Sequence, residues 1–120
     1  MKTAVIGSRS FVDCRKVAKV LDEIVEITHI ISGGAKGADA CAEKYAMKRG
    51  LPITIFFPNW ASYGKGSGII RNKEIISNCD ICIAFWDGKS RGTASSLKIA
   101  ESLGKEIRII TINTETVEVG

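Results

Sequence analysis

Short apolar runs alternate along this chain with stretches whose apolar residues recur at helical spacing, and glycine, proline or a polar cluster separates one from the next. Thr3-Ala4-Val5-Ile6, stopped by Gly7-Ser8-Arg9, predicts a buried first strand and its turn. Asp13 is placed to cap a helix in which Val17, Val20, Leu21 and Ile24 share one side, with Arg15, Lys16, Lys19 and Glu23 on the other. Thr28 to Ile31 reads as a second strand, ending in Ser32-Gly33-Gly34-Ala35-Lys36-Gly37-Ala38-Asp39. From there Ala38, Cys41, Ala42, Tyr45 and Ala46 give a helix face of mostly small residues, which allows close packing on a sheet, and Gly50 stops it. Pro52 to Phe57 predicts a third strand, closed by Pro58. Asn59 to Gly68 has no periodicity, and Ile69 to Asn78 reads as a short helix. Asp80 to Trp86 is apolar after its first residue, the pattern of a central parallel strand covered on both faces. A polar turn, Asp87 to Thr93, leads into a helix with Ala94, Leu97, Ala100 and Leu103 on one face and Gly104 as its stop. Ile107 to Ile112 is the last core strand, and the tail to Gly120 either adds an edge strand or frays.

Strand and helix alternate about five times with no hairpin signal, which predicts a Rossmann-like, doubly wound parallel sheet of about five strands with helices on both faces. The 120 residues suit one domain spanning 1–120, without internal repeat or linker. The composition is that of an ordered globular chain, with 45% hydrophobic and 25% charged residues. No run approaches the about 18 apolar residues of a membrane span, and Met1-Lys2 leads straight into a strand, so the expectation is a cytoplasmic protein that does not engage a membrane. The net charge of +4 is spread along the chain and is compatible with phosphates or with a solvated surface.

Of the four cysteines, Cys79 and Cys82 form a C-x-x-C at what reads as a strand entry, where residues three apart face opposite ways. No second pair stands at zinc spacing and His29 is the single histidine, so no metal site is expected, and all four cysteines read as buried reduced thiols. That one histidine also leaves no basis for a Ser–His–Asp or Cys–His nucleophile.

The candidate chemistry lies where such sheets bind ligands, beyond the carboxyl ends of the strands. Four polar clusters reach that edge: Gly7-Ser8-Arg9, Ser32 to Asp39, the loop around Asn59-Trp60, and Asp87 to Thr93. Glycines let backbone N–H groups approach a phosphate at a helix start. Arg9, Lys36, Arg71 and Arg91 supply positive charge; Ser8, Ser32, Ser90 and Thr93 supply hydroxyls; Asp39 or Asp87 suits a ribose. Trp60 and Tyr63 each offer a ring on which a base can stack, with Trp60 plugging the sheet edge as the alternative. G-x-G-x-x-G does not follow the first strand, and Gly88-Lys89-Ser90 lacks the first glycine of a Walker A loop, because Ile83 stands there.

The pieces Gly7-Ser8-Arg9-Ser10-Phe11, Ser32 to Asp39, Asn59-Trp60, Gly68-Ile69-Ile70-Arg71-Asn72, and Asp80 to Gly88 running on to Ser90-Arg91-Gly92-Thr93 together resemble the SLOG superfamily of Rossmann-like nucleotide-binding proteins. The likeness is to its small stand-alone, YspA-like members of the DUF2493 pattern. It implies a sensor or binding domain for a nucleotide or nucleotide-derived ligand. The residues carried over are Gly7, Ser8, Arg9, Ser32, Gly33, Gly34, Ala35, Lys36, Gly37, Asp39, Asn59, Trp60, Arg71, Asn72, Asp87, Gly88, Ser90, Arg91, Gly92 and Thr93. Mg²⁺ is the one cofactor such a ligand could bring, and a homodimer is the expected assembly.

The superfamily also holds the lonely-guy phosphoribohydrolases, which implies a nucleotide-processing hydrolase as the alternative, with Arg71, Asp39 and Asp87 as catalytic candidates. Arg71 and Asp80 keep that group's spacing, but Ser95 stands two places after Thr93, where its glutamate is expected. An oxocarbenium-like transition state is stabilised by a carboxylate, so this departure weakens that alternative. A further relative, the DNA-processing protein of natural transformation, implies single-stranded nucleic-acid binding as a second alternative; the basic residues here form no dense stripe.

Overall fold

The computed structural model describes residues 1–24, 26–59, 61 and 64–112. Trp60, Tyr63 and the tail from 113 to 120 lie outside the described residues, and with them the expectations placed there. Five parallel strands, β1 (Lys2–Gly7), β2 (His29–Ser32), β3 (Ile53–Ile55), β4 (Ile81–Trp86) and β5 (Glu106–Thr111), form one sheet in the order β3-β2-β1-β4-β5. Between them run α1 (Cys14–Asp22), α2 (Ala38–Arg49), α3 (Ser67–Ser77) and α4 (Arg91–Ser102), with a single 3-10 turn at Gly64–Gly66 leading into α3. This is the doubly wound arrangement, and strand order reverses between β1 and β4.

Alternate residues of each inner strand feed two apolar layers. Val5, Ile30, Ile81, Ile83 and Phe85 pack with Val17, Leu21, Ala42 and Ala46 of α1 and α2. Ala4, Ile6, Ile31, Cys82 and Ala84 pack with Ile75, Ile76 and Ala100 of α3 and α4. Ile81 to Phe85 are fully buried, as the unbroken apolar run requires of the strand at the centre of such a sheet. Asp13 caps α1 by accepting from the Lys16 N–H at 3.2 Å, and Gly50 closes α2 with φ +65°.

Two cysteine expectations are corrected. Cys14 and Cys41 form a disulfide with Cα atoms 4.9 Å apart, because the start of α1 and the first turn of α2 lie side by side on one face of the sheet. That adjacency exists only in the assembled fold, across a sequence separation of 27. Cys79 and Cys82 are free and buried, but both lie in the α3/α4 layer, because Cys79 precedes the strand and the alternation rule does not apply to it. Burial pushes the Cys82 thiol up to about 12.

Three boundaries also shift. β3 is three residues long rather than six, since it pairs only with β2 and Pro58 lacks the N–H to continue. α3 begins at Ser67, where the Ser67 hydroxyl bonds the Gly64 carbonyl at 2.8 Å. α4 begins at Arg91, so Gly92 and Thr93 form its first turn. Its buried face is Thr93, Ser96 and Ala100, and Leu103 is 44% exposed.

Candidate functional site

The loop after β1 is fixed by the core. The Ser8 N–H donates to the Phe85 carbonyl at 3.1 Å, and the Phe11 ring stacks on Phe85 with centroids 5.5 Å apart. Gly7 is required there, since a Cβ would stand 2.6 Å from the Phe85 carbonyl oxygen and 2.8 Å from the Ala38 Cβ. Arg9 and Ser10 are thereby held at the rim of the β1–β4 switch point.

The loop after β4 is organised by Asp87. Its Oδ1 accepts the N–H groups of Lys89 and Ser90, each at 2.8 Å, and these donors hold its carboxyl below the usual carboxylate range. The Trp86 indole donates to the Ser90 carbonyl at 3.1 Å. Ser90 occupies the cap position of α4, but its hydroxyl pairs with the Ser8 hydroxyl at 3.0 Å and makes no cap bond. The first N–H groups of α4 are therefore left without a side-chain cap, at the positive end of the helix dipole.

The glycine turn after β2 closes on itself. Asp39 Oδ2 accepts the Gly33 N–H at 3.1 Å and the Ala35 N–H at 3.2 Å, and the Ser32 hydroxyl accepts the Gly34 N–H at 3.2 Å. The donors that glycines expose for a phosphate are here met by the protein's own oxygens. Burial pushes the Asp39 carboxyl up, against the lowering effect of those two amides and of the Arg71 charge. Ser32 in turn donates to Glu43 at 3.0 Å, a residue one helical turn beyond Asp39 that lay outside the candidate set. Arg71, half-buried on α3, reaches across to donate to the Gly33 carbonyl at 2.7 Å and to Asn72 Oδ1 at 2.8 Å. Burial lowers its pKa, Asp39 raises it and Arg9 lowers it, but a guanidinium remains charged in proteins.

These three loops and α3 enclose a pocket of about 460 Å³. Of the candidates, Gly7, Arg9, Ala35, Asp39, Arg71, Asn72, Ser90, Arg91, Gly92 and Thr93 line it. Ser8, Ser32, Gly33, Gly34, Gly37, Asp87 and Gly88 build the loops behind it. Lys36 and Asn59 are exposed and do not line it. Ser10 and Ser96 line it without having been candidates. Ser96 was hidden by reading α4 from residue 94, which turns the wrong face inward.

Arg9 and Arg91 are exposed and form no ion pair among the described residues. Thr93 is 5% and Ser96 3% exposed; both line the pocket, and neither hydroxyl has a hydrogen-bond partner among the described residues. Both hydroxyls can therefore donate to, or accept from, a group that enters the pocket. No three His, Cys, Asp or Glu side chains cluster as a metal site among the described residues, and none of the described helices is long and apolar enough to cross a membrane.

Comparison with known proteins matches residues 1–63 to the family described as YspA, cpYpsA-related SLOG (YAcAr), a stretch that runs from β1 past β3 and ends before α3. The gene 61 protein of Mycobacterium phage D29 is 31% identical over 113 residues, covering 86% of this chain and 90% of that protein. Among solved structures, DNA processing protein A from Streptococcus pneumoniae superposes with a TM-score of 0.79 at 22% identity, over 93% of this chain and 50% of that one. DNA processing protein A from Helicobacter pylori, described for its single-stranded DNA binding mode, gives 0.75 at 22% identity, over 94% of this chain and 66% of that one. The chain thus spans half of the first and just under two thirds of the second, and the likeness to both is one of fold. The chain belongs to the YspA, cpYpsA-related SLOG family.

Proposed function

We propose that this SLOG-family protein binds a nucleotide or nucleotide-derived ligand by its phosphate, in the pocket rimmed by Arg9, Arg71 and Arg91 over the uncapped start of α4. The observation that carries this reading is that the buried hydroxyls of Thr93 and Ser96, which have no hydrogen-bond partner among the described residues, line the same pocket as those three cations. A phosphate supplies acceptor oxygens for both hydroxyls, for the first N–H groups of the helix and for arginines that bind it as a fork. Binding rather than turnover fits the carboxylates. Among the described residues Asp39 is the one carboxylate lining the pocket, and its Oδ2 is committed to the glycine turn. Asp87 is likewise committed to Lys89 and Ser90.

A second reading, single-stranded nucleic acid, is favoured by the fold shared with the Helicobacter pylori protein. The two separate by titration with AMP, ADP, ADP-ribose and dT oligomers of increasing length. A small-molecule site saturates with a mononucleotide and is indifferent to strand length. A strand-binding groove gains affinity with length. Three arginine–phosphate contacts would give a log–log salt slope of roughly −2 on single strands. Chromatography of each bound ligand tests turnover, and release of free base would replace the binding reading with a hydrolase.

A further inference from the structure

We infer that the ligand of this pocket is a ribonucleotide rather than a deoxyribonucleotide, and that Asp39 holds its ribose by accepting from a 2′- or 3′-hydroxyl, an inference that rests on the phosphate-pocket reading above. Asp39 stands in the first turn of α2, is 7% exposed and lines the pocket. Its Oδ2 accepts the Gly33 and Ala35 N–H groups, and its Oδ1 has no hydrogen-bond partner among the described residues. Arg71 does not take up that oxygen. Arg71 Nη1 and Asp39 Oδ2 lie 2.6 and 3.0 Å from where a Cβ on Gly33 would stand, so the two groups flank the same bare backbone. Yet the guanidinium donates to the Gly33 carbonyl and to Asn72, and forms no ion pair with Asp39 among the described residues.

An ionised carboxylate accepts hydrogen bonds, donates none and repels a phosphate. The phosphate therefore belongs with Arg91, Thr93, Ser96 and the first N–H groups of α4, on the β4 side of the pocket. Asp39 enters from the β2 side, with β1 between. Whatever meets Oδ1 must carry a donor without negative charge, and a hydroxyl on a phosphorylated ribose satisfies both demands. Asp87, the other carboxylate considered for a ribose, does not line the pocket, and its Oδ1 accepts from Lys89 and Ser90. An internal nucleotide of a DNA strand has no 2′-hydroxyl and an esterified 3′-oxygen, so its sugar offers Oδ1 no donor.

The test is calorimetric titration of wild type and Asp39→Asn with AMP, 2′-deoxy-AMP, 3′-deoxy-AMP, IMP and inorganic phosphate. Wild type is expected to bind at least one deoxy analogue about tenfold or more weakly than AMP, the effect of one lost bond to a charged acceptor. Asp39→Asn keeps a carbonyl oxygen for the turn but puts an amide NH₂ in place of Oδ1, so that ratio should shrink toward one. Inorganic phosphate should bind the variant as well as wild type or better, because a negative charge has left the pocket, and its binding shows that the variant is folded. If the variant does not fold, the Asp39 carboxyl carbon resonance of ¹³C-labelled wild type replaces it: AMP should shift that resonance more than the weaker deoxy analogue does, and equal shifts at saturation overturn the assignment to Asp39. If both deoxy analogues bind wild type as tightly as AMP, the ribose inference is overturned while the phosphate pocket stands; a preference for AMP over IMP in that case gives Oδ1 to the base amine. Equal weakening of AMP and its deoxy analogues in Asp39→Asn shows a purely structural carboxylate and also overturns it. If wild type binds none of the five, the phosphate-pocket reading fails and the ribose inference falls with it.

Discussion

Thr93 and Ser96 give the sharpest residue-level contrast. Among the described residues their hydroxyls have no hydrogen-bond partner, and they line a pocket wide enough for water, so removing them breaks no hydrogen bond within the protein. Thr93→Val and Ser96→Ala are therefore expected to leave stability within about 1 kcal/mol of wild type. Each should weaken a phosphate ligand roughly tenfold, the effect of one lost charge-assisted bond. Urea unfolding and calorimetric titration of the same variants check both halves. Gly37 behaves oppositely. Its φ is +79° and a Cβ would stand 2.6 Å from the Arg9 carbonyl oxygen, so Gly37→Ala should lose about 1–3 kcal/mol in urea unfolding.

The two committed carboxylates respond to pH with opposite sign. Burial holds Asp39 above the ordinary value of 3.8, so between that value and the native one the folded state keeps a proton that the unfolded state has lost. Stability from Asp39 falls as pH rises through that window. Wild type should therefore gain on the non-titrating Asp39→Asn variant as pH is lowered through it. Asp87 is held low, so its contribution is complete above 3.8 and is lost as pH falls through its depressed value. Urea midpoints across a pH series report both. The glycine turns and the arginines were legible in the sequence as residue types at strand ends. The bonding of the Asp39 carboxylate was not, since Asp39 is six residues from Gly33 and only the closed turn brings them together.

Among the elements, α1 follows the loop that holds Arg9 and α2 carries Asp39 in its first turn, and the Cys14–Cys41 disulfide ties these helices near their N-terminal ends. For a bridge across a sequence separation of 27 the chain-entropy relation gives about 3–4 kcal/mol. Cys14→Ser should lower unfolding stability by up to that amount, while Cys82→Ser, buried but unbridged, loses only what packing and an unpaired hydroxyl cost. Non-reducing electrophoresis and denaturation with and without a thiol reductant check the bridge. The strand–helix alternation was readable because each element has a strong period or a strong apolar run. The disulfide was not, because pairing depends on which helices become neighbours. The start of α4 was misread for a local reason: Gly92 looks like turn, yet it sits in the first turn of a helix, where glycine is tolerated.

For the whole molecule, topology decides where the chemistry lies. Strand order reverses between β1 and β4, and the loops leaving those two strands meet through the Ser8–Ser90 hydroxyl pair. The glycine turn after β2, the most conspicuous stretch of the sequence, becomes a side wall gripped by Arg71 rather than the floor. The floor is the start of α4, and the three cations come from three different segments. No single motif advertises that convergence, which is why the G-x-G-x-x-G and Walker A patterns are both absent.

The most direct test of the phosphate pocket is calorimetric titration of wild type with the nucleotide and dT panel, repeated on Arg91→Ala and Arg71→Ala. Arg91 is exposed and forms no ion pair among the described residues, so its removal should leave unfolding unchanged and weaken binding by about five- to tenfold. Arg71→Ala should weaken binding further and also cost stability, because the Gly33 carbonyl loses its donor. Saturable binding by wild type that falls in that order supports the pocket. Absence of binding across the panel, or binding that neither arginine variant alters, would contradict it.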